Sequence, residues 1–143
     1  MKNMSINKFN PEGYHDPTPY EALTTIEKEK YRQPYRPVVY ICSPFSGNVE
    51  RNAENARRYC RFAVDSGYIP IAPHLFFPQF MNENDAAERR LALFMDIALL
   101  SKCAQLWVFG GNITKGMDIE IEKAKRKGQP IRYFTEGCKE VTK

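Results

Sequence analysis

The stretch 105-QLWVFGGNITKGMDIEIEKAKRKGQPIRYF-134 reads as strand, glycine-rich turn, helix, turn and strand. QLWVF and IRYF are short apolar runs bounded by Gly and Pro, which is the pattern of buried strands. Between them Met117, Glu120, Ile121 and Ala124 recur in steps of three and four and therefore share one helix face. Asp118, Glu122, Lys125 and Arg126 take the other side. Two strands joined through a helix pair in parallel with a right-handed crossover, so this one segment sets the fold class. It also holds an anomaly, because Glu120 sits on the face that packs against the protein. A buried carboxylate is costly unless hydrogen-bonded, so Glu120 needs either a partner, such as Tyr40 or Lys115, or a use.

The same alternation extends upstream. An apolar run, 37-PVVYIC-42, precedes a helix from about Asn48 to Ser66; 68-YIPIAP-73 precedes a second helix opening at Asp85. Strands this apolar are covered on both faces. The expected fold is α/β, a small doubly wound, flavodoxin- or Rossmann-like parallel sheet of four to five strands with flanking helices. Pro70 cannot donate a ladder bond, which puts the second strand at an edge and favours an order beginning 2-1-3-4. In the first helix Val49, Ala53, Ala56, Cys60 and Ala63 mark the inner face, Arg51, Arg57, Arg58 and Arg61 point elsewhere, and Gly67 closes it. The second opens with capping-box spacing at Asp85 and Glu88 and runs through 91-LALFMDIALL-100, where Asp96 is the only charge.

Three segments are expected along the chain: a flexible arm over 1–18, a helix and linker over 19–35, and the α/β domain over 36–143. Thr18 suits a helix cap and Pro19 a first helical position, with the helix reaching to about residue 32. Of the 143 residues 43% are hydrophobic, enough for one buried core. The net charge of +4 is mild, and the basic residues are spread through helices rather than drawn into a stripe. A nucleic-acid partner is therefore not indicated, and a small anionic ligand accounts for the charge as well. The four cysteines show no CxxC spacing, three of them fall in apparent strand or helix runs, and they read as reduced thiols of a cytoplasmic protein with no metal or redox cofactor. No apolar run approaches the roughly 18 residues of a membrane span, and the N-terminus lacks an apolar signal core.

Ligands in open parallel sheets bind beyond the carboxyl ends of the strands. The first such loop supplies Ser43, Pro44, Phe45, Ser46 and Gly47, with Tyr40 on the strand before it. The second supplies His74 and the aromatic stretch 75-LFFPQFMN-82. The third, 110-GGNITKG-116, supplies Gly110, Asn112, Thr114, Lys115 and Gly116, with Met117 following on the helix. Neither glycine loop matches GxGxxG or GxxxxGK[ST], but both lead into helix starts that present backbone N–H groups to an anion. Plainer readings stand beside these: the first loop as a turn and cap, His74 as a satisfied loop histidine, the phenylalanines as core or subunit interface, and Asp96 as an ion-pair or capping residue.

The ordered set VYICSPFSG, GYIPIAPH, LWVFG and TKGMDIEIEKAKRKGQPIRYF resembles the nucleoside 2-deoxyribosyltransferase-like superfamily over residues 37–134, and most closely its short bacterial and phage members. Ser43-Pro44-Phe45 is similar to that superfamily's first-strand motif. Gly116, Glu120 and Ala124 are similar to its last motif, Gly-x-x-x-Glu-x-x-x-Ala, whose glutamate is the nucleophile. The resemblance implies that Glu120 attacks C1′ of a nucleoside or nucleotide, with Asp96 and His74 assisting in protonation of the base or orientation of the sugar. It further implies a 5′-phosphate site at Thr114, six positions before the glutamate, completed by Ser43, Ser46, Gly47 and Lys115.

The chain departs from the superfamily's usual pattern. Asn112, Ile113 and Lys115 precede Gly116 where transferases carry an aspartate, and Ile121 follows Glu120 where they carry a glycine. Lys115 favours a phosphorylated or otherwise anionic ligand over a free nucleoside. The expected function is an N-glycosidase or deoxyribosyltransferase-like enzyme on a nucleotide or nucleotide-derived molecule, with nucleotide binding without turnover as the alternative. An interaction protein, resting on the N-terminal arm and aromatic loop, is a third. The apolar second helix and phenylalanine-rich loop exceed what four strands can cover, so a homo-oligomer with a shared or adjacent site is expected.

Overall fold

A computed structural model of the chain describes Thr24 and residues 34–142. The chain divides into two units, Met1–Tyr35 and Arg36–Lys143, and the second carries the sheet. The expected arm and the helix from Pro19 lie outside the described residues, except for Thr24, which is helical.

In the second unit β1 (Val38–Cys42) leads to α1 (Val49–Asp65), β2 (Ile69–Ile71), a single helical turn α2 (Pro73–Phe76) with a 3-10 turn at Phe77–Gln79, and α3 (Ala86–Leu100). Then follow β3 (Gln105–Phe109), α4 (Lys115–Lys127), β4 (Ile131–Phe134) and β5 (Glu140–Val141). Among the described residues the sheet has five strands in the order β2-β1-β3-β4-β5. The first four are parallel, and the expected order 2-1-3-4 holds. Pro70 pairs with Val39 on the edge strand, where its missing N–H faces no neighbouring strand among the described residues. The antiparallel β5 was not foreseen, since two residues are too few to show a period.

Alternate strand residues face opposite layers, as a pleated strand requires. Val39, Ile41, Trp107, Phe109 and Phe134 pack on one face against Tyr59 and Ala63 of α1. Tyr40, Cys42, Leu106 and Val108 pack on the other against Leu100 at the end of α3 and Met117, Ile121 and Ala124 of α4. Helices on both faces make the sheet doubly wound.

Local signals set the helix ends. Asn48 accepts from Arg51 N and caps α1, and Asp85 accepts from Ala87 N at 2.9 Å and caps α3. The reciprocal half of the expected capping box is absent, because Glu88 Oε1 accepts instead from Asn82 N. Helix α4 ends at Gly128, which takes the left-handed conformation at φ 70°. The stretch after β2, read as a loop, is helical. Two cysteines, rather than three, lie within elements, Cys42 in β1 and Cys60 in α1; Cys103 precedes β3 and Cys138 lies in the β4–β5 turn, and all four are free thiols. No helix among the described residues is long and apolar enough to cross a membrane.

Candidate functional site

The loops after β1, β2 and β3 open together at the carboxyl ends of the strands, where β1 and β3 send their chains to opposite faces. Between them and α3 lies a pocket of about 730 Å³, within the usual range for small-molecule sites. Ser43, Phe45, Ser46 and Gly47 line it from the β1 loop, and His74 from α2. Asp96 lines it from α3, and Thr114, Lys115, Gly116, Met117 and Glu120 from the start of α4.

Glu120 is 9% exposed, on the buried face of α4 with Met117, Ile121 and Ala124, as their spacing requires. Its partner is Tyr40, whose hydroxyl donates to Oε2 at 2.5 Å. Burial pushes the Glu120 carboxyl up to about 7, against the pull of hydrogen bonds from Tyr40 and Cys42, and the nearby Asp96 pushes it the same way as burial. Desolvation, with the Glu120 charge next, raises the Tyr40 phenol far above its ordinary value, so Tyr40 stays a donor. Cys42 is raised well above the ordinary thiol value, also chiefly by burial.

Asp96 holds the opposite wall. Its Oδ1 is buried and has no hydrogen-bond partner among the described residues. Burial, and after it Glu83, pushes this carboxyl up to about 7. The pocket therefore contains two carboxyl groups that each exchange a proton near neutrality, one held by hydrogen bonds to its charged form and one without them. His74 Nε2 lies 2.9 Å from Ser43 Oγ, and burial lowers its pKa to about 4, so the imidazole is neutral at physiological pH.

Helix α4 begins in the pocket. Thr114 caps it by accepting from Met117 N at 3.2 Å, leaving the amides of Lys115 and Gly116 without an intrahelical partner. The β1 loop is fixed by Asn52, whose side-chain amide donates to Phe45 O and Ser46 O at 3.1 and 2.9 Å. Pro44, Gly110 and Asn112 are not brought to this pocket; they line a separate recess of about 50 Å³ beside Tyr59 and Asn52. Tyr40 lies beneath the pocket floor and reaches it through Glu120.

Sequence reasoning missed part of the wall. Arg89, Arg90 and Leu93 of α3 line the pocket, as do Glu83 and Asn84, while Phe77 and Pro78 come from the aromatic stretch expected beside it. The signal existed: stepping back from Asp96 by three, four and seven gives Leu93, Ala92 and Arg89, all on the face of α3 turned toward the pocket. No group of three or more His, Cys, Asp or Glu residues able to hold a metal occurs among the described residues.

The model of a domain of unknown function, DUF7768, matches residues 37–134, which is most of the chain and all of its parallel sheet. The chain belongs to the DUF7768 family. No curated protein matches its sequence significantly. Among solved structures, the DUF7768 domain is similar to a 2-deoxyribosyltransferase from the psychrotolerant bacterium Bacillus psychrosaccharolyticus, described as a biocatalyst for nucleoside synthesis. The TM-score is 0.54 at 18% identity, over 68% of this chain and 72% of that one. At that identity the likeness is one of fold.

Proposed function

We propose that this DUF7768 protein is an N-glycosidase or deoxyribosyltransferase-like enzyme that cleaves the bond between base and sugar in a nucleotide or nucleotide-derived molecule. The observation that carries this reading is the pairing of Glu120 and Asp96 in one pocket, the first with a hydrogen-bond donor and the second with its buried Oδ1 unpartnered among the described residues. The fold likeness to a 2-deoxyribosyltransferase supports the same choice of chemistry.

Tyr40 and Cys42 favour the charged form of Glu120, which suits a nucleophile. Asp96, desolvated and unpartnered, favours its proton, which suits a general acid. Tyr40 engages Oε2 and fixes the orientation of the carboxylate. In the first half-reaction a Glu120 oxygen bonds to C1′, the C1′–N bond breaks, and its electron pair goes to the base nitrogen, which takes the Asp96 proton. The product is a glycosyl ester on Glu120. In the second half-reaction Asp96 accepts a proton from water or from an acceptor base as that nucleophile bonds to C1′ and the ester breaks, restoring both groups. His74, neutral and held beside Ser43, orients the sugar by hydrogen bonding and carries no charge in either step. Thr114, the free amides of α4 and Lys115 receive a phosphate at the positive end of the helix.

The active species is a homo-oligomer in this reading. Leu91 is 46% and Phe94 70% exposed, and with Ala87 and Ala98 they form a stripe at spacings of four, three and four on the side of α3 turned from the pocket. Phe76 and Phe80 are likewise exposed. Such a stripe is the pattern that pairs one helix with another.

Incubating the purified protein with a panel of nucleosides and nucleotides, and measuring free base, tests the activity. Base release from phosphorylated substrates supports it. Ligand-induced thermal stabilisation with no release would assign the protein instead to nucleotide binding without turnover.

A further inference from the structure

Arg89 and Arg90 lie in the first turns of α3 and both line the pocket. Neither makes an ion pair or a side-chain hydrogen bond with any described residue, in contrast to Arg51, Arg61 and Arg132, which each have an acidic partner. Lys115 on the facing lip is equally without an ion pair among the described residues. Among the described residues the mouth of the pocket thus carries three cations against one rim carboxylate, Glu83.

A single phosphate does not account for this set. The start of α4 already supplies two free amides, the Thr114 hydroxyl, the Lys115 ammonium and the positive end of the helix dipole, which together match one phosphate group. The two arginines belong to a different helix. Arg89 and Arg90 stand seven and six residues from Asp96, about 10 Å along the axis of α3, toward the start of that helix. Guanidinium groups bind phosphate oxygens in bidentate fashion, and two adjacent ones present more donors than one phosphate takes beyond its α4 contacts.

We infer that Arg89 and Arg90 form a second phosphate locus, and that the ligand is a nucleotide carrying a diphosphate, either a nucleoside diphosphate or an ester of one. This rests on the reading of the pocket as a nucleotide site and narrows its substrate class.

The test uses the full chain in metal-free buffer, with inorganic phosphate and inorganic pyrophosphate as probes in calorimetric titrations. Pyrophosphate is expected to bind roughly tenfold or more tightly than phosphate. The exposed positions tolerate substitution, and Arg89→Gln/Arg90→Gln is expected to erase that preference while leaving phosphate affinity within about twofold. Arg89→Lys/Arg90→Lys, which keeps charge and loses the forked geometry, is expected to fall between. An unchanged preference in the Gln double variant overturns the inference, as does an equal loss for both anions, which would mark the arginines as general charge. If the Gln variant loses affinity for a nucleoside monophosphate but not for pyrophosphate, the arginines contact the base and the inference also fails. Base release from mono- and diphosphates is followed in parallel. A pyrophosphate preference without nucleotide binding leaves the locus standing and sinks the nucleotide reading; nucleotide cleavage with no diphosphate preference does the reverse.

Discussion

The Tyr40 hydroxyl donates to Glu120 Oε2 at 2.5 Å, joining the middle of β1 to the buried face of α4 across eighty positions of sequence. The bond holds the carboxylate in one orientation and stabilises its charge where burial opposes it. Tyr40→Phe deletes the donor and almost no volume. A hydrogen bond to a charged group contributes roughly 1.5–3 kcal/mol, so the Glu120 carboxyl should rise further. The expected result is a loss of about tenfold or more in base release at pH 7, recovered in part at higher pH. An acid limb of the rate profile identical to wild type would show that Tyr40 does not act on Glu120.

The rate should depend on pH through both carboxyl groups. Glu120 must be ionised and Asp96 protonated, and both titrate at about 7. The kcat/KM profile is then a narrow bell with its maximum near neutrality, and its two limbs belong to the coupled pair. Asp96→Asn keeps the shape of the side chain and removes the proton. It should lower the rate most for bases that leave poorly and flatten the alkaline limb. A steep alkaline fall retained in Asp96→Asn would assign that limb elsewhere.

Stability should carry the same signature. Asp96 binds its proton more tightly folded than unfolded, because its pKa rises from 3.8 to about 7. Below about pH 4 both states are protonated and there is no penalty from ionisation. Between about pH 4 and 7 the unfolded state loses the proton first, so stability falls as pH rises. The melting temperature of Asp96→Asn relative to wild type should therefore climb between pH 4 and pH 8. His74 works in the opposite direction, since its depressed pKa of about 4 means that stability is lost as pH falls from 6.5 toward 4. A flat difference for Asp96→Asn across that range would contradict the buried, unpartnered state of its carboxyl.

Much of the fold was legible because its strongest signals were local and redundant. The apolar runs of β1 and β3 and the alternation with helices pointed to a parallel sheet and Pro70 to its strand order, which the pairing of Val39 with Pro70 and with Gln105 bears out. Glu120 was legible through the period of α4. Its partner was offered only as a residue such as Tyr40 or Lys115, since the choice needs the distance from β1 to α4, which no spacing encodes. The place of Pro44, Gly110 and Asn112 in a separate recess was hidden because a loop at the carboxyl end of a strand can turn toward either face of the sheet. Arg89 and Arg90 were passed over because α3 was read for its apolar content, although its pocket face could be counted back from Asp96.

The exposed stripe on α3 gives a prediction about assembly. Light scattering on the purified protein should return a multiple of 16.6 kDa. Phe94→Glu places a charge at the more exposed of the two large apolar residues of the stripe and should shift the population toward monomer while leaving the fold intact by circular dichroism. A wild-type monomer at working concentration would remove the oligomer from the account.

The central claim is that Glu120 is the nucleophile, and free-base release by Glu120→Gln tests it most directly. The substitution keeps size and most hydrogen bonding and removes the attacking charge, so base release should fall by several orders of magnitude while nucleotide binding, followed by thermal stabilisation, persists. Glu122, exposed on the opposite side of the same helix, is the control, and Glu122→Gln should change neither quantity. Base release by Glu120→Gln at the wild-type rate, from protein that melts normally, would contradict the account.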